Sequence, residues 1–129
     1  MLAIDTNLIV RYLVGDDRRQ ADRARKLIDN NDVLVCTTVM LETEWVLRSA
    51  YGFSASQCAK ALADFAGLPR VTLADTPAVA KALGWMRQGM DFADGLHLAK
   101  AEACDALISF DEDFAKAANA LGGLKVRAP

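Results

Sequence analysis

Short apolar segments alternate along the chain with longer segments in which apolar residues recur every three or four positions. The short segments predict strands, and the longer ones predict amphipathic helices. Strands that alternate with helices form βαβ units with right-handed crossovers, so the strands are parallel and helices cover both faces. The pattern therefore predicts an α/β fold, a three-layer α/β/α domain with a central, mostly parallel five-stranded sheet. The predicted strands lie at 1–4, 33–36, 70–74, 105–109 and 124–126.

The composition is that of an ordinary globular protein. Its 129 residues can form one hydrophobic core, and 53% hydrophobic with 25% charged residues argues against disorder. We therefore expect a single domain over 1–129. No apolar run approaches the roughly 18 residues of a membrane span and no charged leader precedes one, so we expect a soluble, cytoplasmic protein without membrane contact. The three cysteines are far apart and form no C-x-x-C pair, which argues against a disulfide framework and a structural zinc site.

Charge is nearly balanced, with a formal net charge of −2. Proteins that bind nucleic acid usually show a basic domain or a strongly basic face, so any contact with a polyanion here must be local. One basic cluster lies on the polar face of the second predicted helix. A solvated helix face is the simpler interpretation of this cluster, and a nucleic-acid contact is the alternative. The cluster consists of Arg18, Arg19, Arg23, Arg25 and Lys26.

The first predicted strand ends in three polar residues, Asp5, Thr6 and Asn7. The apolar run before them predicts a central strand that is buried on both faces. Asp5 would then lie at the carboxyl end of that strand, where open α/β sheets bind ligands. Asp, Thr and Asn also cap helices, so Asp5 taken alone is explained equally well as the N-cap of the helix that follows.

Glu42 is the anomalous residue of the third predicted helix, which Thr37 and Thr38 are expected to cap. Glu42 falls close to the expected buried face of this helix, whereas Glu44 falls nearer its outer face. A favourable charge at the helix start, or a capping-box contact with Thr38, would also explain Glu42. The expected buried face is formed by Leu41, Trp45, Val46 and Ala50.

Further acids mark the second half of the chain. Asp91 and Asp94 precede an apolar-periodic run, which places Asp94 in the first turn of a helix and Asp91 at or before its N-cap. Asp111 follows the fourth predicted strand at a strand-to-helix junction like the one at Asp5. The one histidine, His97, lies three residues after Asp94 and could carry a proton, although a helical histidine among apolar neighbours is more often packed in the core.

Four carboxylates are therefore expected at one edge of the sheet. Asp5 and Asp111 follow strand ends, and Glu42 and Asp94 lie early in helices that leave the same edge. Ionised carboxylates that converge repel one another and shift one another's pKa values unless a cation neutralises them. Oxygen ligands without a His or Cys set indicate Mg²⁺ or Mn²⁺. The predicted chemistry is metal-assisted hydrolysis of phosphodiester bonds.

Four segments in series resemble the four motifs of PIN-domain ribonucleases, specifically the VapC-type toxins of bacterial toxin–antitoxin pairs. They are MLAIDTN at 1–7, LETEWVLR at 41–48, DFAD at 91–94 and SFDEDF at 109–114. The match follows the family order over the whole chain. The resemblance implies a PIN-like domain in which four residues are the metal-binding catalytic acids. These residues are Asp5, Glu42, Asp94 and Asp111.

The same resemblance implies supporting groups and partners. Thr6, Asn7 and Ser109 would support the acids, and Asp113 would be an additional acid. The implied protein is a Mg²⁺- or Mn²⁺-dependent endoribonuclease that forms a homodimer. A small VapB-type antitoxin would mask its site and bind operator DNA. Gly95 stands where a larger residue is common after the third acid, which is expected to loosen that helix start without removing a ligand.

Two alternatives stand beside this hypothesis. An RNA-maturation PIN nuclease would share the acids and have no antitoxin. A phospho-receiver signalling module also has this length, a doubly wound sheet and an acidic Mg²⁺ pocket. It needs adjacent acids after the first strand and an acceptor Asp at the end of the third, whereas this chain has a lone Asp5 and places Asp75 slightly late.

Overall fold

The computed structural model describes the whole chain, from Met1 to Pro129. It contains seven helices and five strands, with one or two helices between successive strands. In chain order these are β1 Leu2–Ala3, α1 Thr6–Val14, α2 Arg18–Asn30, β2 Val33–Val35, α3 Thr37–Ser49, α4 Ala55–Ala66, β3 Val71–Leu73, α5 Thr76–Arg87, α6 Phe92–Lys100, β4 Leu107–Ile108, α7 Glu112–Ala120 and β5 Val126–Arg127.

All strand pairs are parallel. β1, β2 and β3 form a sheet in that order, with Leu2 opposite Val33 and Val33 opposite Val71. β4 pairs with β5, with Leu107 opposite Val126. The predicted α/β fold with parallel strands is confirmed. The hydrogen bonds form a three-stranded and a two-stranded sheet where one five-stranded sheet is expected.

The chain divides into two compact units, Met1–Thr76 and Pro77–Pro129. In the N-terminal unit β1 lies at the edge of its sheet, and Leu2 is 45% exposed. The prediction of a central strand buried on both faces is therefore wrong, because only Ile4, just after the strand, is buried. Asp5 nevertheless follows the carboxyl end of the strand, as predicted.

Helices α1, α2 and α4 bury one face each. In α2 the buried residues are Ala21, Ala24 and Ile28, and the basic residues lie on the exposed side, which confirms its predicted amphipathic pattern. Ser54 begins α4 through a capping box with Gln57, in which each side chain bonds the other residue's backbone N–H. These local signals fix where the helices start.

The predicted buried face of α3 is wrong. Its N-cap is Cys36, which makes no side-chain capping bond, so Thr37 and Thr38 do not cap it. Trp45 is 60% exposed, and Ala50 is exposed beyond the end of the helix. The residues that are buried instead are Met40, Thr43, Glu44 and Leu47.

The C-terminal unit has its own apolar cluster, formed by Met90, Leu98, Phe114, Ala118 and Val126. The side chain of Asn119 on α7 both accepts from the N–H of Val126 and donates to its carbonyl, each at 2.9 Å. These bonds hold β5 against α7. Helix α5 begins at Thr76, with proline at its second residue. No helix in the structure has both the length and the apolar content needed to cross a membrane.

Candidate active site

Asp5 is the N-cap of α1. Its backbone is extended, with φ −96° and ψ 168°, and its Oδ1 accepts a hydrogen bond from the N–H of Thr6 at 2.7 Å. The carboxylate therefore lies at the positive end of the helix dipole. Because the residue is exposed, capping leaves the carboxylate open to solvent. The capping role and a ligand role are compatible at this position.

Thr6 is buried directly after Asp5, with 3% of its surface exposed. Its Oγ1 is the one buried side-chain nitrogen or oxygen in the structure without a hydrogen-bond partner. An unsatisfied buried hydroxyl costs about 1–3 kcal/mol, so such an atom calls for a functional explanation. Asn7 follows in the first turn of α1 and is exposed. The polar groups predicted to support Asp5 thus lie at the same helix start.

Glu42 lies in the second turn of α3 and is exposed. Neither alternative explanation for it holds, because α3 has no acid in its first turn and Thr38 is not its cap. The prediction that Glu42 lies close to the buried face of α3 is wrong, because Glu42 is exposed. The carboxylate is free of the core and accessible on the surface of the N-terminal unit.

Glu44 is the buried acid of α3, which the sequence reasoning missed by placing it on the outer face. It is 1% exposed, and Nε of Arg48 donates to both carboxylate oxygens, at 2.6 and 2.9 Å. The available signal was the Glu-to-Arg spacing of four residues, which brings two side chains together on a helix. Burial first, and then the Glu44 charge, raises the pKa of Cys58 to about 11. That thiol therefore stays protonated and inert.

Asp94 stands in the first turn of α6, whose N-cap is Asp91. Oδ2 of Asp91 accepts a hydrogen bond from the N–H of Asp94 at 3.2 Å, so the predicted placement of both acids is confirmed. Asp94 is partly buried. Burial, followed by repulsion from Asp91 and Asp111 and offset by His97, raises the pKa of its carboxyl. Asp94 and Asp111 are therefore close enough to interact electrostatically.

Asp111 is the N-cap of α7, as the strand-to-helix junction predicts. Its Oδ1 accepts from the N–H of Phe114 at 2.9 Å, and its own N–H donates to Oγ of Ser109 at 3.0 Å. Ser109 thus holds the backbone of Asp111. Asp113 is exposed in the first turn of α7, where its negative charge interacts favourably with the helix dipole.

Two residues beside Asp94 depart from expectation. His97 is exposed one turn further along α6, so its interpretation as a packed core residue is wrong, and it partly offsets the rise in the pKa of Asp94. Gly95 is buried, and a Cβ added there would come within 3.2 Å of Cα of Ala82 on α5. The missing side chain permits a close approach of α5 and α6, and the expected loosening of the helix start stays a prediction.

The amino-acid sequence matches the PIN domain family model over residues 2–120. The chain belongs to the PIN domain family. No curated protein matches it. Among solved structures, it is similar to VapC20 of Mycobacterium tuberculosis, described as a Sarcin-Ricin loop cleaving toxin, with 22% identity over 98% of this chain and 99% of that chain. The TM-score of 0.43 is too low for this likeness to carry an argument.

Membership of the PIN domain family confirms the resemblance drawn from the four acidic motifs, whose four acids lie inside the matched range. It also removes the phospho-receiver alternative. The metal-binding and catalytic roles of Asp5, Glu42, Asp94 and Asp111 remain predictions, as does their convergence.

The donor atoms of this PIN domain fit a hard divalent cation. In neither unit do three or more His, Cys, Asp or Glu side chains form a group that could hold a metal ion. Mg²⁺, however, is usually bound through one or two carboxylates together with water and substrate phosphates. The interacting pair Asp94 and Asp111 supplies such oxygens. Burial, followed by repulsion from Asp91 and Asp111, raises the pKa of Asp94, and a bound cation would relieve that repulsion.

Proposed function

We propose that this PIN domain is an endoribonuclease that depends on Mg²⁺ or Mn²⁺ and acts as the toxin of a VapBC-type toxin–antitoxin pair. The observation that carries the proposal is the carboxylate pair Asp94 and Asp111 of the C-terminal unit, in which burial, followed by the charges of Asp91 and Asp111, raises the pKa of Asp94. Two carboxylates at helix starts of the same unit supply oxygen ligands of the kind that Mg²⁺ usually takes from a protein. Membership of the PIN domain family supports the same reading.

The residues would act as follows. Asp94 and Asp111 would hold the cation, together with Asp5 and Glu42. When bound, the cation supplies an activated water and stabilises the leaving oxygen of the phosphodiester. Ser109 holds the Asp111 backbone in place, and Thr6 offers its Oγ1 beside Asp5.

The toxin assignment rests on the motif resemblance. From this resemblance we infer that the protein acts on RNA in the cytoplasm and forms a homodimer. We also infer that it pairs with a VapB-type antitoxin, through which operator DNA is bound. Expression of the chain alone is expected to arrest growth, and co-expression of a cognate VapB-type antitoxin is expected to relieve the arrest. Cleavage without growth arrest would favour the RNA-maturation alternative.

The activity is tested with purified protein and a mixture of structured and single-stranded RNA. We expect cleavage with added Mg²⁺ or Mn²⁺ and none in excess chelator. Asp5→Asn and Asp111→Asn are expected to abolish cleavage, while the matched surface variant Asp64→Asn, which loses only an exposed ion pair with Lys60, keeps it. Full activity of Asp5→Asn, or cleavage in chelator, would contradict the proposal.

A further inference from the structure

The aromatic residues of this chain are distributed unevenly between core and surface. Two Trp, two Tyr and five Phe are present, and all but two of these side chains are buried or partly buried. The exceptions are Trp45, which is 60% exposed, and Phe110, which is 85% exposed. Each lies beside a proposed catalytic acid, Trp45 three residues after Glu42 and Phe110 directly before Asp111.

Trp45 lies on the same exposed side of α3 as Glu42, one turn further along the helix. The next turn carries Ser49, whose hydroxyl donates to the carbonyl of Trp45 at 2.7 Å. The indole is therefore flanked by polar, exposed residues. Leu41, one turn before Trp45 on this face, is partly buried, so Trp45 is the one largely exposed apolar side chain of α3.

Helix α3 buries a charged side chain and exposes a large apolar one. The inward face of the helix buries Glu44, whose charge needs Arg48 as a partner, while the large apolar indole remains in solvent. Burial of an aromatic side chain is strongly favourable, and burial of a carboxylate is costly unless it is paired. The core of the fold therefore does not account for the position of Trp45.

Phe110 is held on a fixed turn. The N–H of Asp111, the next residue, donates to Ser109, and the carboxylate of Asp111 caps α7 through Phe114. The backbone on both sides of Phe110 is thus fixed by hydrogen bonds, while its ring is the most exposed large apolar side chain of the structure.

We propose that Trp45, beside Glu42 in the N-terminal unit, and Phe110, beside Asp111 in the C-terminal unit, are each a stacking platform for a base of the RNA substrate. This inference rests on the proposed function. A base is uncharged and offers a π-face, so it can approach the acids that would repel a phosphate in the absence of a cation. One helical turn rises about 5.4 Å, which lets a nucleotide stack on Trp45 while its phosphate reaches the region of Glu42.

The first test separates binding from turnover. Trp45→Ala is expected to raise KM for single-stranded RNA about tenfold, the loss of one base–aromatic stack, with kcat and the melting temperature nearly unchanged. Trp45→Phe should retain most of the affinity, and Trp45→Leu should behave like the Ala variant. Phe110→Ala and Phe110→Tyr form the corresponding pair. Leu121→Ala, which removes an exposed apolar side chain away from the acids, is the matched control and should leave KM unchanged.

The second test identifies the base. Substrates that carry an abasic sugar at single positions around the cleavage site are compared with the intact RNA. At the position that stacks on Trp45, the abasic sugar should raise KM for the wild type and have no further effect on Trp45→Ala. Additive effects at every position would overturn the stacking assignment.

A protein partner that contacts Trp45 or Phe110 in place of RNA would give different results. Conversion of a dimer to a monomer by Trp45→Ala, or loss of antitoxin binding with KM for RNA unchanged, would assign Trp45 to a protein interface and overturn the proposal. If the wild type does not cleave RNA at all, the proposed function itself fails. If the wild type cleaves and both Ala variants keep its KM, only the stacking inference fails.

Discussion

The pKa of Asp94 depends on the burial of its side chain and on the charges around it. Its pKa is raised by burial and by the charges of Asp91 and Asp111, so the folded chain binds its proton more tightly than the unfolded chain does. For an acid with a raised pKa, the folded state gains from protonation at low pH and loses that gain as pH rises through the raised pKa. Without a cation, Asp94 therefore weakens the fold at neutral pH.

Asp94→Asn is accordingly expected to stabilise the metal-free protein at neutral pH, because it removes a partly buried charge and with it the repulsion from Asp91 and Asp111. The gain should vanish at acidic pH, where the wild-type carboxyl is protonated. The check is thermal unfolding in chelator at several pH values between about 4 and 8. A variant that is less stable than the wild type at neutral pH would show that the repulsion does not matter.

The two acids of α3 give a matched pair of substitutions. Glu42→Gln changes an exposed residue and should alter the free energy of unfolding by less than about 0.5 kcal/mol while abolishing cleavage. Glu44→Gln breaks the buried bond to Arg48 and should cost about 2 kcal/mol. Denaturant unfolding and RNA cleavage are measured on both variants. The reverse ranking of stability would contradict the assigned environments.

At the scale of elements, the close approach of α5 and α6 sets the position of the acidic helix start. Gly95 lets Ala82 come within contact distance of the α6 backbone, one residue after Asp94. An added methyl group would meet a backbone carbon at 3.2 Å, which cannot move aside as a side chain can.

Gly95→Ala should therefore destabilise the protein by about 1–2 kcal/mol, despite the better helix propensity of Ala. Gly84→Ala is the control within α5, since nothing lies within 4 Å of its added Cβ. That variant should gain about 0.5–1 kcal/mol from propensity alone. Melting temperatures of the two variants on opposite sides of the wild type would support the packing argument, and shifts of the same sign would refute it.

A polar network joins α1, the turn after it and the end of α3. Arg11 donates to Asp16 at 3.0 Å and to the hydroxyl of Tyr51 at 3.2 Å, and that hydroxyl donates to Asp16 at 3.0 Å. The Tyr51 bond first, and then the Arg11 charge, lowers the pKa of Asp16. The stability from Asp16 is thus present above the ordinary pKa of Asp and is lost as pH falls through the lowered value.

Tyr51→Phe should move the pKa of Asp16 back towards its ordinary value, so the variant should lose this contribution and tolerate acid less well than the wild type. The carboxyl titration of Asp16, followed by NMR in both proteins, measures the change directly. An unchanged titration would mean that the hydroxyl does not act on Asp16.

At the scale of the whole molecule, a cation that binds only the folded chain must stabilise it. Mg²⁺ at about a hundred times its Kd should add about 2.7 kcal/mol to the free energy of unfolding. Asp94→Asn and Asp111→Asn should lose this response, while Asp64→Asn keeps it. Thermal unfolding across a Mg²⁺ titration provides the measurement, and a response retained by both site variants would place the cation elsewhere.

Much of the fold follows from local sequence signals. The helix starts at Asp5, Asp91 and Asp111 are N-caps as predicted, since a side-chain oxygen there satisfies a backbone N–H within three residues. The strands and their parallel pairing follow from apolar segments that alternate with helices. Such patterns depend on neighbours in sequence, which the chain itself specifies.

The amino-acid sequence by itself determined the parallel α/β fold, the helix caps and the motifs that place the chain in the PIN domain family. Only the tertiary structure decided which side of α3 is buried, and with it the exposure of Glu42 and Trp45 and the burial of Glu44. It also decided the contact at Gly95 and the repulsion between Asp94 and Asp111. The physical reason is that burial and charge interactions depend on residues far apart in the chain, which helical periodicity does not specify.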